Sequence, residues 1–117
     1  MSLSDLTCKP QKAGAPPLSP AQAERMRDEV SGWKLKDAAL AREFQFKNFG
    51  EAMSFVDKVA EAAESQGHHP DIFISYKTVR LTLTTHKIGG LSQNDFIMAA
   101  KIDQLPASFP CNEADRR

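Results

Sequence analysis

The chain lacks a surplus of charge: 15 Lys and Arg offset 15 Asp and Glu across 117 residues, for a formal net charge of zero. A general nucleic-acid surface needs a basic excess to neutralise phosphates, so nucleic acid is not expected as a partner. Cysteine is scarce. Cys8 and Cys111 each lie in a polar, proline-containing stretch near one end. Two thiols cannot staple a disulfide-scaffold domain, and Cys8-Lys9-Pro10-Gln11 lacks the second cysteine of a CxxC pair. Long apolar runs are missing, since none approaches the roughly 18 residues of a membrane span. No basic segment followed by an apolar one marks a secretory signal. The expected location is the cytoplasm, away from membranes. Histidine is rare as well, and all three copies fall between His68 and His86.

What is present is ordinary for a globular protein: 41% hydrophobic and 26% charged residues, at a length that suits one domain. Residues 1–18 carry Pro10, Gly14, Pro16 and Pro17 without an apolar period and read as a flexible N-terminal arm. Residues 19–107 form the expected single domain, and residues 108–117 a polar C-terminal tail.

Within the domain, Ser19-Pro20-Ala21-Gln22 is a capping-box helix start, and the helix should end near Ser31-Gly32. A short strand over residues 33–36 and a turn at Asp37-Ala38-Ala39 follow. Leu40, Arg42, Phe44 and Phe46 then alternate with polar residues, as a half-buried strand requires. Asn48 to Glu51 opens the clearest amphipathic helix, with Phe49, Ala52, Met53, Val56, Val59, Ala60 and Ala63 on its apolar stripe and Gly67 as its stop. Residues 71–77 and 78–86 read as two strands. Ser92 and Asp95 start a last helix that runs to about Gln104. The order α-β-β-α-β-β-α predicts an α+β fold, a four-stranded antiparallel sheet with three helices on one face. Its edge strands are natural sites for pairing with a second copy.

A hairpin of the last two strands brings the His68-His69-Pro70 loop beside His86, so the three histidines meet at one rim. With unperturbed pKa values of roughly 6.5, imidazoles can hold a proton donor and acceptor together near neutral pH. Such a pair suits an elimination or a hydration. Glu64 and Asp95 are placed to orient the rings. A zinc triad is the competing reading. Metal-binding histidines are more often spaced i, i+2 or i, i+4, and no cysteine lies nearby.

Taken together, Glu64-x3-His68-His69-Pro70-x5-Tyr76-x9-His86-x8-Asp95 resembles the signature of the pterin-4a-carbinolamine dehydratases. Gly32-Trp33, the run from Phe44 to Phe49, Leu83-Thr84-Thr85-His86 and Gly90-Leu91-Ser92-x2-Asp95 carry the likeness over residues 19–107. Asp5-Leu6-Thr7-Cys8 with Pro16-Pro17-Leu18 resembles the arm of some bacterial and plant members. Gly67 stands where many members have an acidic residue, and Asn94 where some have arginine.

The resemblance implies dehydration of a 4a-hydroxytetrahydropterin to the quinonoid dihydropterin, without metal or cofactor. That step recycles the cofactor of aromatic amino-acid hydroxylases, which links the chain to phenylalanine hydroxylase. It further implies a homodimer joined through sheet edges, or a tetramer of such dimers. The family's essential histidines correspond to His68, His69 and His86. His68 and His86 are then the acid–base candidates, and His69 positions the substrate. Gly67, Thr84 and Thr85 complete the pocket, Trp33 stacks near the pterin, and Glu64 and Asp95 tune the imidazoles. Because some members partner a transcription factor, the alternative is a non-enzymatic dimerisation or coactivator module on the same fold.

Overall fold

The computed structural model describes residues 3–36 and 38–105. Asp37 of the first predicted turn, the end of the domain and the tail with Cys111 lie outside them. The element order is α1 (Pro20–Arg27), β1 (Lys34–Lys36), β2 (Ala39–Gln45), α2 (Phe49–Gln66), β3 (Asp71–Ser75), β4 (Thr78–Leu83) and α3 (Gln93–Asp103), with short 3-10 turns at Leu3–Asp5, Asp28–Val30 and His86–Ile88. The four strands form one antiparallel sheet in the order β1-β2-β4-β3, with the helices packed on one face. The α+β architecture is the one expected.

Capping chemistry sets the helix starts. Ser19 Oγ accepts the Gln22 N–H at 3.2 Å, while Gln22 Oε1 accepts the Ser19 N–H at 2.9 Å. Asn48 Oδ1 accepts the Glu51 N–H at 2.8 Å. Such caps satisfy N–H groups that the helix cannot pair itself, each worth about 1 kcal/mol. Gly67 ends α2 at φ 66, a left-handed conformation that costs glycine little.

The register Leu40↔Leu83, Arg42↔Leu81 and Phe44↔Val79 places these six residues on the helix-covered face. Leu40, Val79, Leu81 and Leu83 are completely buried. Removing such side chains from water is worth about 1.5–3 kcal/mol each. Arg42 is a cation on this apolar face, and α3 explains it. Its Nη1 donates to Asp103 Oδ1 at 2.7 Å, and its guanidinium lies 4.7 Å over the Phe44 ring. The same Asp103 oxygen accepts the Trp33 Nε1–H at 2.9 Å.

Three local expectations are corrected. The buried stripe of α2 is Ala52, Phe55, Val59 and Ala63, and Phe49 is 49% exposed. Phe55 wins the inward position because it stacks against Phe44 at 4.7 Å and Phe46 at 5.1 Å. Strand β3 stops at Ser75, because Tyr76 turns the chain with φ 54. Strand β4 stops at Leu83, because Thr85 pairs with Gly90 across a loop, its N–H bonded to the Gly90 carbonyl at 2.9 Å. His86 therefore sits on that loop, not on a strand end. Residues 3–18 lie against the domain: Leu3 is in the core, with Leu6 and Leu18 packed on it. Isolated leucines in a proline-rich segment carry no period from which to read this docking.

Candidate active site

The αL turn at Gly67 aims the chain off α2 and back toward the sheet. Its N–H and that of His68 both donate to the Ala63 carbonyl, at 2.9 and 3.3 Å. His68 and His69 thus emerge at a fixed angle from a rigid helix end. The antiparallel pairing Asp71↔Thr82 brings the chain after them beside the end of β4, as the hairpin argument requires. A cleft of about 470 Å³ opens there, lined by Gly67, His68, His69, Thr84, Thr85 and His86 among others. Its volume lies within the range of small-molecule sites, roughly 300–1,000 Å³.

Asp95 organises one side of this cleft. Its carboxylate is completely buried and fully partnered. Oδ1 accepts His68 Nε2–H at 2.6 Å; Oδ2 accepts the Thr85 hydroxyl at 2.8 Å and the Ser92 N–H at 2.9 Å. The Ser92 hydroxyl in turn lies 2.7 Å from Thr85 Oγ1. A buried carboxylate without such partners would be strongly disfavoured. Because a carboxylate only accepts, the bond places a proton on His68 Nε2 and leaves Nδ1 as that ring's one site for exchange with a ligand.

The other two imidazoles are held differently. His69 Nε2 lies 2.7 Å from Glu64 Oε2, in a pair that is largely exposed. Glu64 thus orients His69, one turn beyond it, and not His68. His86 is exposed, and among the described residues its ring has no hydrogen-bond partner. Both of its nitrogens are open to a ligand. The Thr84 hydroxyl donates to the Ala38 carbonyl at 2.9 Å, so it fastens the loop to the neighbouring strand connection.

Trp33 does not join this group. It is completely buried, bonded to Asp103 in the core, and absent from the cleft lining. Its indole satisfies a structural acceptor, and the expected stacking position is not where the fold puts it. Conversely, residues 8–11, Gln66, Lys87 and Asn94 line the cleft without having been expected there. Asn94 has a signal in its position next to Asp95; the arm, more than fifty residues distant, has none.

Cys8 is half-buried, and burial pushes its thiol up to about 11, with Asp95 adding to the rise and Lys101 opposing it. The thiol is therefore neutral at physiological pH and ill suited to nucleophilic or redox work. Among the described residues, no three His, Cys, Asp or Glu side chains converge as metal ligands, and no helix is long and apolar enough to cross a membrane.

Residues 16–105 match the family model described as Pterin 4 alpha carbinolamine dehydratase. A Methylococcus capsulatus protein named "Putative pterin-4-alpha-carbinolamine dehydratase" is 51% identical over 108 residues, covering 91% of this chain and 95% of the relative. A Halorhodospira halophila protein of the same name is 48% identical, covering 92% and 100%. Among solved structures, a "transcriptional coactivator/pterin dehydratase" from Brucella melitensis superposes with a TM-score of 0.71 at 34% identity, covering 74% of this chain and 95% of that one. A pterin dehydratase-like protein described as a RuBisCO assembly factor in the alpha-carboxysome superposes with a TM-score of 0.51 at 25% identity, covering 61% and 82%. With its fold, its histidine-lined cleft and nearly its whole length accounted for in this way, the chain belongs to the pterin 4 alpha carbinolamine dehydratase family.

Proposed function

We propose that the chain converts a 4a-hydroxytetrahydropterin to the quinonoid dihydropterin and water, with His68 and His86 as the acid–base pair. The observation that carries this reading is the buried Asp95 that holds one tautomer of His68, a residue lining the same cleft as His86. A buried carboxylate that orients an imidazole is the arrangement used by general-base histidines. His68 Nδ1 accepts the proton from N5 of the substrate. The electron pair of that N–H bond forms the N5=C4a double bond as the C4a–O bond breaks. His86, with both nitrogens open, gives a proton to the departing hydroxyl, which leaves as water. His69, held by Glu64, positions the ring. Gly67, Thr84 and Thr85 shape the pocket through backbone close to the substrate. The reaction needs no metal or cofactor, because both proton transfers fall to side chains.

The same reading makes the chain a recycler of the pterin cofactor of aromatic amino-acid hydroxylases, phenylalanine hydroxylase among them, in the cytoplasm. It includes a homodimer joined through the outer edge of β3. Among the described residues that edge has no strand beyond it, and Ile72 and Phe73 on it are 38% and 52% exposed. A non-enzymatic coactivator module is the weaker alternative, since it gives no reason for an oriented His68 at a cleft. The test follows carbinolamine dehydration spectrophotometrically. Purified protein accelerates it in proportion to its concentration; a rate equal to that in buffer would refute the enzyme assignment.

A further inference from the structure

The N-terminal arm is bonded to the neighbours of both members of the His68–Asp95 pair. Asn94, buried and adjacent to Asp95, engages the peptide of Lys9 with both ends of its amide. Its Oδ1 accepts the Lys9 N–H at 2.9 Å, and its Nδ2 donates to the Lys9 carbonyl at 2.6 Å. This two-point clamp imitates one rung of a β-ladder and fixes both position and direction of the strand it holds. Gln66, the last residue of α2 before Gly67, accepts the Cys8 N–H with Oε1 at 2.9 Å. The Cys8 thiol lies 3.6 Å from the Asn94 carbonyl.

Anchors lie on either side of this clamp. Upstream, Leu3 is buried in the core, and Lys101 Nζ donates to the Ser4 carbonyl at 2.9 Å. Downstream, the Leu18 N–H donates to the Leu91 carbonyl at 2.8 Å. The Pro17 ring there rests on Gly90, where an added Cβ would come within 2.8 Å of it. Between the anchors, residues 10–16 make only local bonds, such as Ala15 N–H to the Lys12 carbonyl. The arm is thus pinned at two ends and carries residues 9–11 along the cleft, which they line.

We propose that this strap is a substrate-recognition wall, with Gln11 contacting the pterin and Asn94 acting as the positioning residue that sets it. The inference rests on the dehydratase reading and deepens it. Gln11 is half-buried, and its one bond is a long 3.3 Å contact from Nε2 to the Lys9 carbonyl. It retains a free acceptor oxygen and a second N–H, a donor–acceptor pair that complements the polar amide edge of a pterin ring. The histidines act on the C4a–N5 side, so a group that reads the ring's polar edge contributes to binding and not to proton transfer.

Two measurements test this. The first is steady-state kinetics of Gln11→Ala and Asn94→Leu. KM rises about three- to tenfold in each, the effect of one or two lost hydrogen bonds, with kcat changed less than KM. The second is limited trypsin digestion of the intact protein, read by mass at the Lys12–Ala13 bond. Adding 7,8-dihydropterin slows that cleavage in the wild type, and Asn94→Leu speeds it and abolishes the protection. Should Asn94→Leu fail to fold, Gln11→Ala and the wild-type protection still decide. Unchanged KM in Gln11→Ala, or cleavage indifferent to the pterin, overturns the proposal while wild-type turnover leaves the dehydratase reading standing. A wild type without turnover would instead refute that reading.

Discussion

At the scale of the residue, Asp95 holds the site together. Its two oxygens hold an imidazole, a hydroxyl and a backbone N–H at once. Asn in its place keeps one acceptor oxygen and turns the other into a donor, which the Thr85 and Ser92 donors cannot both tolerate. Asp95→Asn is expected to lower kcat/KM by about 10²-fold or more, the scale of a lost acid–base group; wild-type kinetics in that variant would contradict the role. Cys8 gives a second residue-scale prediction. With its thiol pushed up to about 11 from an ordinary 9.0, the thiolate fraction at pH 8 is about a hundredfold lower than in the unfolded chain. Iodoacetamide should therefore label Cys8 far more slowly in the native protein than in urea, as peptide mass spectrometry would show. Equal rates would contradict the burial. The histidine cluster was legible in the sequence because titratable residues at fixed spacing are visible without a fold. The partners of Cys8 were not, since its bonds run to residues 58 and 86 positions away.

At the scale of the element, one carboxylate joins β2, α3 and the segment before β1. Asp103 accepts from both Trp33 and Arg42, yet burial outweighs these lowering partners and raises its carboxyl above the ordinary value of 3.8. The unfolded chain therefore releases this proton first. The contribution of Asp103 to stability declines as pH rises from about that value through its higher native one. Asp103→Asn should flatten this decline while keeping an acceptor for the indole. Asp103→Ala leaves the buried Trp33 N–H unpaired and should cost about 1–3 kcal/mol. Urea unfolding of the three proteins between pH 4 and 7 checks both points; equal stability of Ala and wild type would contradict the role. Caps, alternation and the αL glycine made the elements readable from local sequence alone. Strand ends were less so. Thr84 and Thr85 have good strand propensity, yet β4 stops before them because Thr85 bonds to Gly90. The stripe of α2 shifted for the same kind of reason, because three aromatic rings decide which face goes inward.

At the scale of the whole molecule, composition and periodicity specify the fold class, whereas the docking of the arm is set by long-range contacts. Tertiary hydrogen bonds from one asparagine to a distant peptide leave no periodic trace in the sequence. If β3 pairs with its copy, sedimentation equilibrium gives twice the chain mass of 12.9 kDa, and Ile72→Lys with Phe73→Lys shifts it toward one. A monomeric wild type would contradict edge pairing. The candidate site belongs to the molecule as a whole, because the end of α2 brings His68 and His69, the loop after β4 brings His86, and α3 brings Asp95. The most direct test of the central claim compares kcat for carbinolamine dehydration in wild type, His68→Ala and His86→Ala. Each variant is predicted to lose about 10²- to 10⁴-fold, the range for a positioned acid or base. Full activity in both would contradict the assignment of the proton transfers to His68 and His86.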